Sequence, residues 1–260
     1  MVFSAEILDI NAFKDMMRAL QVVNKEPTIT FAEEGLTSEA MDDSHVQMVN
    51  WRLDTKGFLN HYEYGEGDTK ITLDLEQFMK FIDGFNKSDT LKLELDEDKN
   101  VMLVKGKVNE ESGKPKSGRA KSFSIPLLDL ELDETPKPKI FFKSQAKLIA
   151  KGLTEALKDA MLVGETVTVK LEPEELTISA VGDMGSAYNV WENHSDDLIS
   201  LKVEESSQST FILDKVMNLA LFGAKCGDVV VIELSSDMPM HLDYESPYGQ
   251  LEYYVAPVIR

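Results

Sequence analysis

The chain has 260 residues, 43% hydrophobic and 28% charged, with 27 Lys and Arg against 46 Asp and Glu, for a formal net charge of −19. That is enough apolar sequence for one large domain or two medium ones. The single cysteine, Cys226, excludes an internal disulfide and makes an intracellular location the default. No apolar run approaches a membrane span, and Met1 to Asp9 lacks the basic-then-apolar pattern of a signal peptide. Acidic residues outnumber basic ones in both halves, and total charge alone argues against nucleic-acid binding.

In chain order, the first predicted helix covers about residues 11–24, with Asn11 as N-cap. Its apolar face is Phe13, Met16, Met17 and Leu20, and Lys14, Arg18, Gln21 and Lys25 form a polar stripe at i, i+4, i+7, i+11. Glu34-Gly35-Leu36-Thr37 follows, then a turn with Gly65 and Gly67, alternation over Lys70–Leu75, and a second helix over about 75–84. Leu91–Leu95 and residues 99–108 have strand patterns, Asn109–Lys121 that of a solvated loop, and the Pro- and acid-rich Asp129–Lys139 that of a linker.

The order then recurs. A third helix is predicted over about 144–158, capped by Ser144, with Lys147, Lys151, Thr154 and Lys158 repeating the first stripe 133 residues on. Glu174-Glu175-Leu176-Thr177 repeats the earlier tetrapeptide at an offset of 140, as Leu213-Asp214 repeats Leu73-Asp74 before a fourth helix over about 214–224. The step from 133 to 140 implies about seven extra residues after the third helix. Two copies of one unit with strands dominating imply an α+β fold, two similar domains of antiparallel sheets with helices on one side. The domains expected are 1–126 and 140–260, joined by a linker at 127–139.

Catalytic chemistry finds little support. His45, His61, His194 and His241 show no metal-ligand spacing, and Ser44-His45 are adjacent, so in a strand they point to opposite faces. Asp42 and Asp43 have the character of turn or surface residues. The loop Gly113 to Ala120 has the glycine spacing of a phosphate loop, but carries Arg-Ala where Lys-Ser/Thr is required. No cofactor, metal or enzymatic activity is expected. One basic stripe would be only a solvated face, but recurrence at matched positions favours a phosphate-bearing partner, because solvation would accept Glu as readily as Lys.

Two further segments carry a resemblance. Met41-Asp42-Asp43-Ser44-His45-Val46 and Leu251-Glu252-Tyr253-Tyr254-Val255-Ala256-Pro257 are similar to signatures of the sliding DNA clamps of the proliferating cell nuclear antigen family, and Ser235 to Met240 resembles the strand before the family's last hairpin. The similarity runs from about Ser4 to Ile259. It implies a closed ring of three subunits around duplex DNA, helices lining the channel and sheet on the outside, acting as a polymerase processivity factor without enzymatic activity. DNA-facing residues would then be Lys14, Arg18, Lys80, Lys87, Lys147, Lys151, Lys215 and Lys225.

The family's groove for short peptides falls on Met41, His45, Val46, Met48, Leu132, Pro136, Pro239, Tyr254, Ala256 and Pro257. Its implied partners are DNA polymerase, flap nuclease, ligase and clamp loader. Ring closure implies edge strands at Ala120–Ile125 and Ser186–Trp191, with Phe123 and Tyr188 at the subunit interface. The short linker, the end at Arg260 without an acidic tail and Val258 in place of a basic residue point to an archaeal-type, cytoplasmic and nucleoid-associated clamp, which would be nuclear if eukaryotic. An acidic DNA mimic would instead need carboxylates in the helical stripes, and a small-molecule enzyme would need a catalytic constellation.

Overall fold

A computed structural model describes residues 3–55, 59–65, 67–85, 87, 89–108, 120–129 and 138–258. The chain divides into two compact units: Met1–Ala40 with Asn50–Glu134, and Met41–Val49 with Thr135–Arg260. The segment Met41–Val49 thus belongs with the second half of the chain.

The first unit runs β1 (Phe3–Ile7), α1 (Ile10–Gln21), β2 (Thr28–Ala32), β3 (Gly35–Met41), β4 (Gln47–Asp54), β5 (Leu59–Tyr64), β6 (Thr69–Thr72), α2 (Leu75–Ile82), β7 (Asp89–Asp96), β8 (Val101–Val108) and β9 (Lys121–Pro126). β3 and β4 each have one end in the second unit's segment. Five strands form an antiparallel sheet in the order β5-β1-β7-β8-β9, and β2 pairs with both β3 and β6. Phe3, Ala5 and Ile7 on β1, with Leu91, Leu93 and Leu95 on β7, turn one face of that sheet into the core. α1 presses Phe13, Met16, Met17 and Leu20 inward, and the Trp51 indole, fully buried, donates to the Met16 carbonyl at 2.9 Å.

The second unit runs β10 (Ser144–Ile149), α3 (Ala150–Met161), β11 (Thr166–Glu172), β12 (Glu175–Gly182), β13 (Gly185–Glu192), β14 (Leu198–Val203), β15 (Ser207–Ile212), α4 (Leu213–Cys226), β16 (Val229–Leu234), β17 (Met240–Ser246) and β18 (Gly249–Val255). Its sheets are β14-β10-β16-β17-β18 and β13-β12-β11-β15. α4 lies close on β17: a Cβ added at Gly223 would sit 2.3 Å from the buried Tyr244 ring.

The third helix begins at Ala150, six residues later than its predicted start at Ser144. Ser144–Ile149 is a strand, not a first helical turn; Ser144, Ala146 and Leu148 point inward with a period of two, and Lys147 points to the other face. Ser144 does not cap a helix, since its hydroxyl donates to the Glu205 carbonyl at 2.8 Å. The cap of α1 is Asp9, whose carboxylate takes the Asn11 and Ala12 amides at 3.0 Å each, so Asn11 lies inside the helix.

With those corrections the helix repeat has one register. The buried residues Ile10, Phe13, Met16, Met17 and Leu20 of α1 recur 140 residues on as Ala150, Leu153, Ala156, Leu157 and Ala160 of α3. The β2/β3 pair Phe31↔Leu36 recurs as Leu171↔Leu176 in β11/β12, again 140 apart. The offset is already 140 at the helix, so no seven-residue insertion follows it.

The helices start differently in the two units. α2 is capped by Asp74, which accepts from the Gln77 amide at 2.9 Å. α3 and α4 follow directly from strands, and no side chain caps them. Their first amides, on Ala150 and Leu213, donate to the Asp228 and Glu165 carbonyls at 2.9 Å in each case, as the first amide of α2, on Leu75, does to the Lys25 carbonyl at 2.8 Å.

Candidate functional site

The basic residues assigned to DNA lie in unlike surroundings. On α1, Lys14 is only 13% exposed, and its ammonium donates to the Phe85 carbonyl at 2.9 Å. Arg18 pairs with Asp83, just past α2, at 2.7 Å. Lys80 lies 3.4 Å from Glu76 on the same helix, and Lys87 is exposed. In the second unit Lys147, on β10, pairs with Glu245 of β17. Lys151 on α3 is 81% exposed and 3.5 Å from Glu155, and Lys158 on the same helix is exposed too. Lys225 lies over the Phe222 ring at 4.9 Å.

Lys215, in the first turn of α4, reaches the Asp42 carboxylate at 2.9 Å. The residues expected to face DNA are therefore divided between a strand, several helices and a loop, and many already hold a carboxylate or a carbonyl. A lysine bound in this way offers phosphate less of its charge than a solvated one does.

The second unit holds most of the expected peptide groove. Asp42 organises the turn before β4. Its carboxylate accepts from the Ser44 hydroxyl at 2.5 Å, the Val46 and Gln47 amides at 2.8 Å each, and Lys215. Burial pushes the Asp42 carboxyl up, but the Lys215 ammonium, the Ser44 hydroxyl and the two amides outweigh it and hold it down at about 2. His45 sits at the turn's apex with φ 56° and an exposed side chain.

The turn holds the C-terminal segment: the Ala256 amide donates to the Val46 carbonyl at 2.8 Å, and the Val258 amide to Thr210 at 2.7 Å. Met41, Val46, Pro239, Tyr254, Ala256 and Pro257 all remain half-exposed, which leaves an apolar strip of backbone and side chain around Ala256 and Pro257. Met48 differs; at 3% exposure it is part of the core. Leu132 and Pro136 lie outside the described residues.

Sequence reasoning passed over a support for Tyr254. His241 stacks on its ring at 4.5 Å and on Phe142 at 5.8 Å, and the His241 Nδ1 lies 2.8 Å from Glu233. The hydrogen bond from His241 holds the Glu233 carboxyl below its ordinary range; burial opposes this, and Gln145 adds to the lowering. Gln145, Glu233, His241 and Tyr254 are cross-strand neighbours on β10, β16, β17 and β18, with Phe142 just before β10, so only strand register could have revealed the row.

Both segments named for subunit contact are edge strands among the described residues. β9 ends the first unit's sheet and β13 ends one of the second unit's sheets. Tyr188 and Val190 on β13 are 64% and 49% exposed. Phe123 on β9 is half-buried and turns back onto α2, its ring 4.9 Å from Phe81. Among the described residues no group of three or more His, Cys, Asp and Glu could hold a metal ion, and no helix is long and apolar enough to cross a membrane.

Two family models cover this arrangement. The proliferating cell nuclear antigen N-terminal domain matches residues 2–135, and the C-terminal domain matches residues 138–258. The chain belongs to the proliferating cell nuclear antigen family. A DNA polymerase sliding clamp from Methanococcus vannielii is 32% identical over 251 residues, 95% of each chain. One from Thermofilum pendens is 24% identical, with 96% of each chain covered. Among solved structures, the proliferating cell nuclear antigen of Thermococcus kodakaraensis superposes with a TM-score of 0.86 at 23% identity, over 98% of this chain and 100% of that one. That of Entamoeba histolytica does so with 0.87 at 18% identity, over 100% of both. These two likenesses establish the fold: an α+β clamp fold of two domains built on antiparallel sheets.

Proposed function

We propose that this chain is a DNA polymerase sliding clamp, a non-catalytic processivity factor that closes as a ring of three subunits around duplex DNA. The observation that carries this reading is a free antiparallel edge in each unit, β9 and β13, with Tyr188 and Val190 standing exposed on the second. Unpaired edges are an aggregation hazard unless they are used up, and joining the β9 of one copy to the β13 of the next uses both. The ring grips by topology, so its phosphate contacts are weak and non-specific. Lys151, Lys158, Lys80 and Lys87 are the best placed to make them, because they are exposed.

The apolar strip between Met41, Val46, Pro239, Tyr254 and Ala256 docks short peptides with aromatic anchors, borne by polymerase, flap nuclease, ligase and clamp loader. Its few half-buried apolar residues suit micromolar or somewhat tighter affinity, on the order of −8 kcal/mol. The archaeal relatives fit a clamp that works in the cytoplasm on the nucleoid.

The test is native mass together with polymerase extension on nicked circular DNA. Wild type is expected at three times the chain mass and to lengthen extension products when loaded. A proline at Tyr188 removes a ladder donor and is expected to give folded monomers that no longer do so. Unchanged native mass in that variant would mean that β13 is not the joining edge.

A further inference from the structure

We infer that Lys215 is a positioning residue for the peptide-docking strip, holding the Met41–Gln47 turn in its binding shape through Asp42, and not a phosphate ligand. The inference rests on the docking function proposed above. Two contacts cross between the first turn of α4 and this turn. The Lys215 ammonium donates to Asp42 Oδ2 at 2.9 Å, and the Gln47 side-chain amide donates back to the Lys215 carbonyl at 3.2 Å. Gln47 is itself buried, and its own amide donates to the other Asp42 oxygen. Backbone and side chain of one α4 residue are thus bound to one turn.

The charges explain why the contact forms. A helix begins at the positive end of its dipole, so a lysine in the first turn is disfavoured unless an anion lies beside it. The Asp42 side chain is 9% exposed, and its charge requires partners in return. Without Lys215 it would retain the Ser44 hydroxyl and two backbone amides, all supplied by its own turn. Lys215 is therefore the one side chain among the described residues that ties the carboxylate to a different element. The turn it fixes presents Met41 and Val46, and the Val46 carbonyl receives the Ala256 amide, so the anchor bears on both walls of the strip.

The experiment titrates a synthetic peptide carrying glutamine, leucine and two phenylalanines into the wild-type protein, K215M and K215R. Methionine keeps the stem and the helix propensity but removes the charge. K215M is expected to bind about three- to tenfold more weakly, because the turn must be ordered on binding. K215R, which still reaches a carboxylate, is expected to recover most of the loss. Amide exchange at Val46 and Gln47 should quicken in K215M and not in K215R, a local change that a general loss of stability would not confine to these sites.

DNA retention measured against salt should keep its slope in K215M, whereas a lost phosphate contact would lower that slope by about one for each subunit that contacts the DNA. If wild type binds the peptide and K215M binds it equally well, or if the salt slope falls, the positioning role is wrong and the docking strip stands. If the wild type ignores the peptide, the docking function fails and the inference fails with it.

Discussion

α1 and α3 occupy the same place in two copies of one unit, 140 residues apart, and five of the buried positions of each match. Their polar faces do not. At the position where α1 has Lys14, reaching across to the Phe85 carbonyl, α3 has Thr154, whose hydroxyl folds back onto Ala150 at 3.2 Å. Where α1 has Arg18, held by Asp83, α3 has the exposed Lys158. The first unit uses cations to bind its two helices together; the second uses a small hydroxyl there and leaves Lys151 and Lys158 of α3 exposed. Basic residues on equivalent helices thus do different work, and only their partners distinguish a strut from a phosphate contact.

The strands β4 and β13 extend the contrast and give the largest expected effect. Trp51 and Trp191 are also 140 apart, but Trp51 is fully buried with its indole bonded, whereas Trp191 lies half-exposed on an edge strand. Truncating Trp51 to alanine should cost about 3–5 kcal/mol in chemical denaturation, as large-to-small changes in a core do. W191A should cost much less; equal losses would show that the two copies bury this position alike.

The helices themselves come next. K14A with R18A should lower stability by about 1 kcal/mol through lost half-buried hydrogen bonds. K151A with K158A should stay within about 0.5 kcal/mol of wild type, yet reduce the salt slope of DNA retention by about two for each subunit that contacts the DNA. The reverse pattern, in denaturation and in retention on nicked circles, would overturn the division of labour between α1 and α3.

The smallest effect is a response to acid. Asp42 is held at about 2 in the folded protein against an ordinary 3.8. A depressed carboxylate stabilises fully above its unfolded value, and that contribution is lost as pH falls through the folded one. Between about pH 4 and pH 2, wild type should lose more thermal stability than D42N, whose amide does not titrate. Parallel curves would mean that the carboxylate is not anchored as described.

The repeated unit and its α+β class were legible in the sequence because Leu36 and Leu176, or Gly35 and Glu175, fall in matching local contexts and antiparallel strands announce themselves by alternation. The edge positions of β9 and β13 were legible from the same alternation together with the family resemblance. The helical stripes were misaligned for a physical reason. Lysines at i and i+4 are common on any solvated surface, and the apparent offset of 133 matched Lys147, a strand residue, to Lys14. Register is set by what is buried, and Ala146 and Leu148 suit a strand and a helix equally until their partners on β14 and β16 are known. The bond between Asp42 and Lys215 spans 173 residues, and no local pattern encodes it.

The unlike helix starts bear on the order of events as the chain folds. Nucleating the first turn is the costly step in making a helix, and a side-chain cap eases it with residues already at hand. Asp9 and Asp74 supply that help from the neighbouring sequence, so the first turns of α1 and α2 have a local partner while the rest of the first unit is still a coil, although the Leu75 amide of α2 also takes the Lys25 carbonyl in the folded protein. The first amides of α3 and α4 have nothing comparable until the carbonyls of Asp228 and Glu165 arrive from elsewhere in the chain. Substitutions in α1 or α2 should therefore slow folding, and those in α3 or α4 should chiefly hasten unfolding. A protein made of one unit written twice would in that case assemble its halves by two different routes, the earlier one beginning before the ribosome has finished the later.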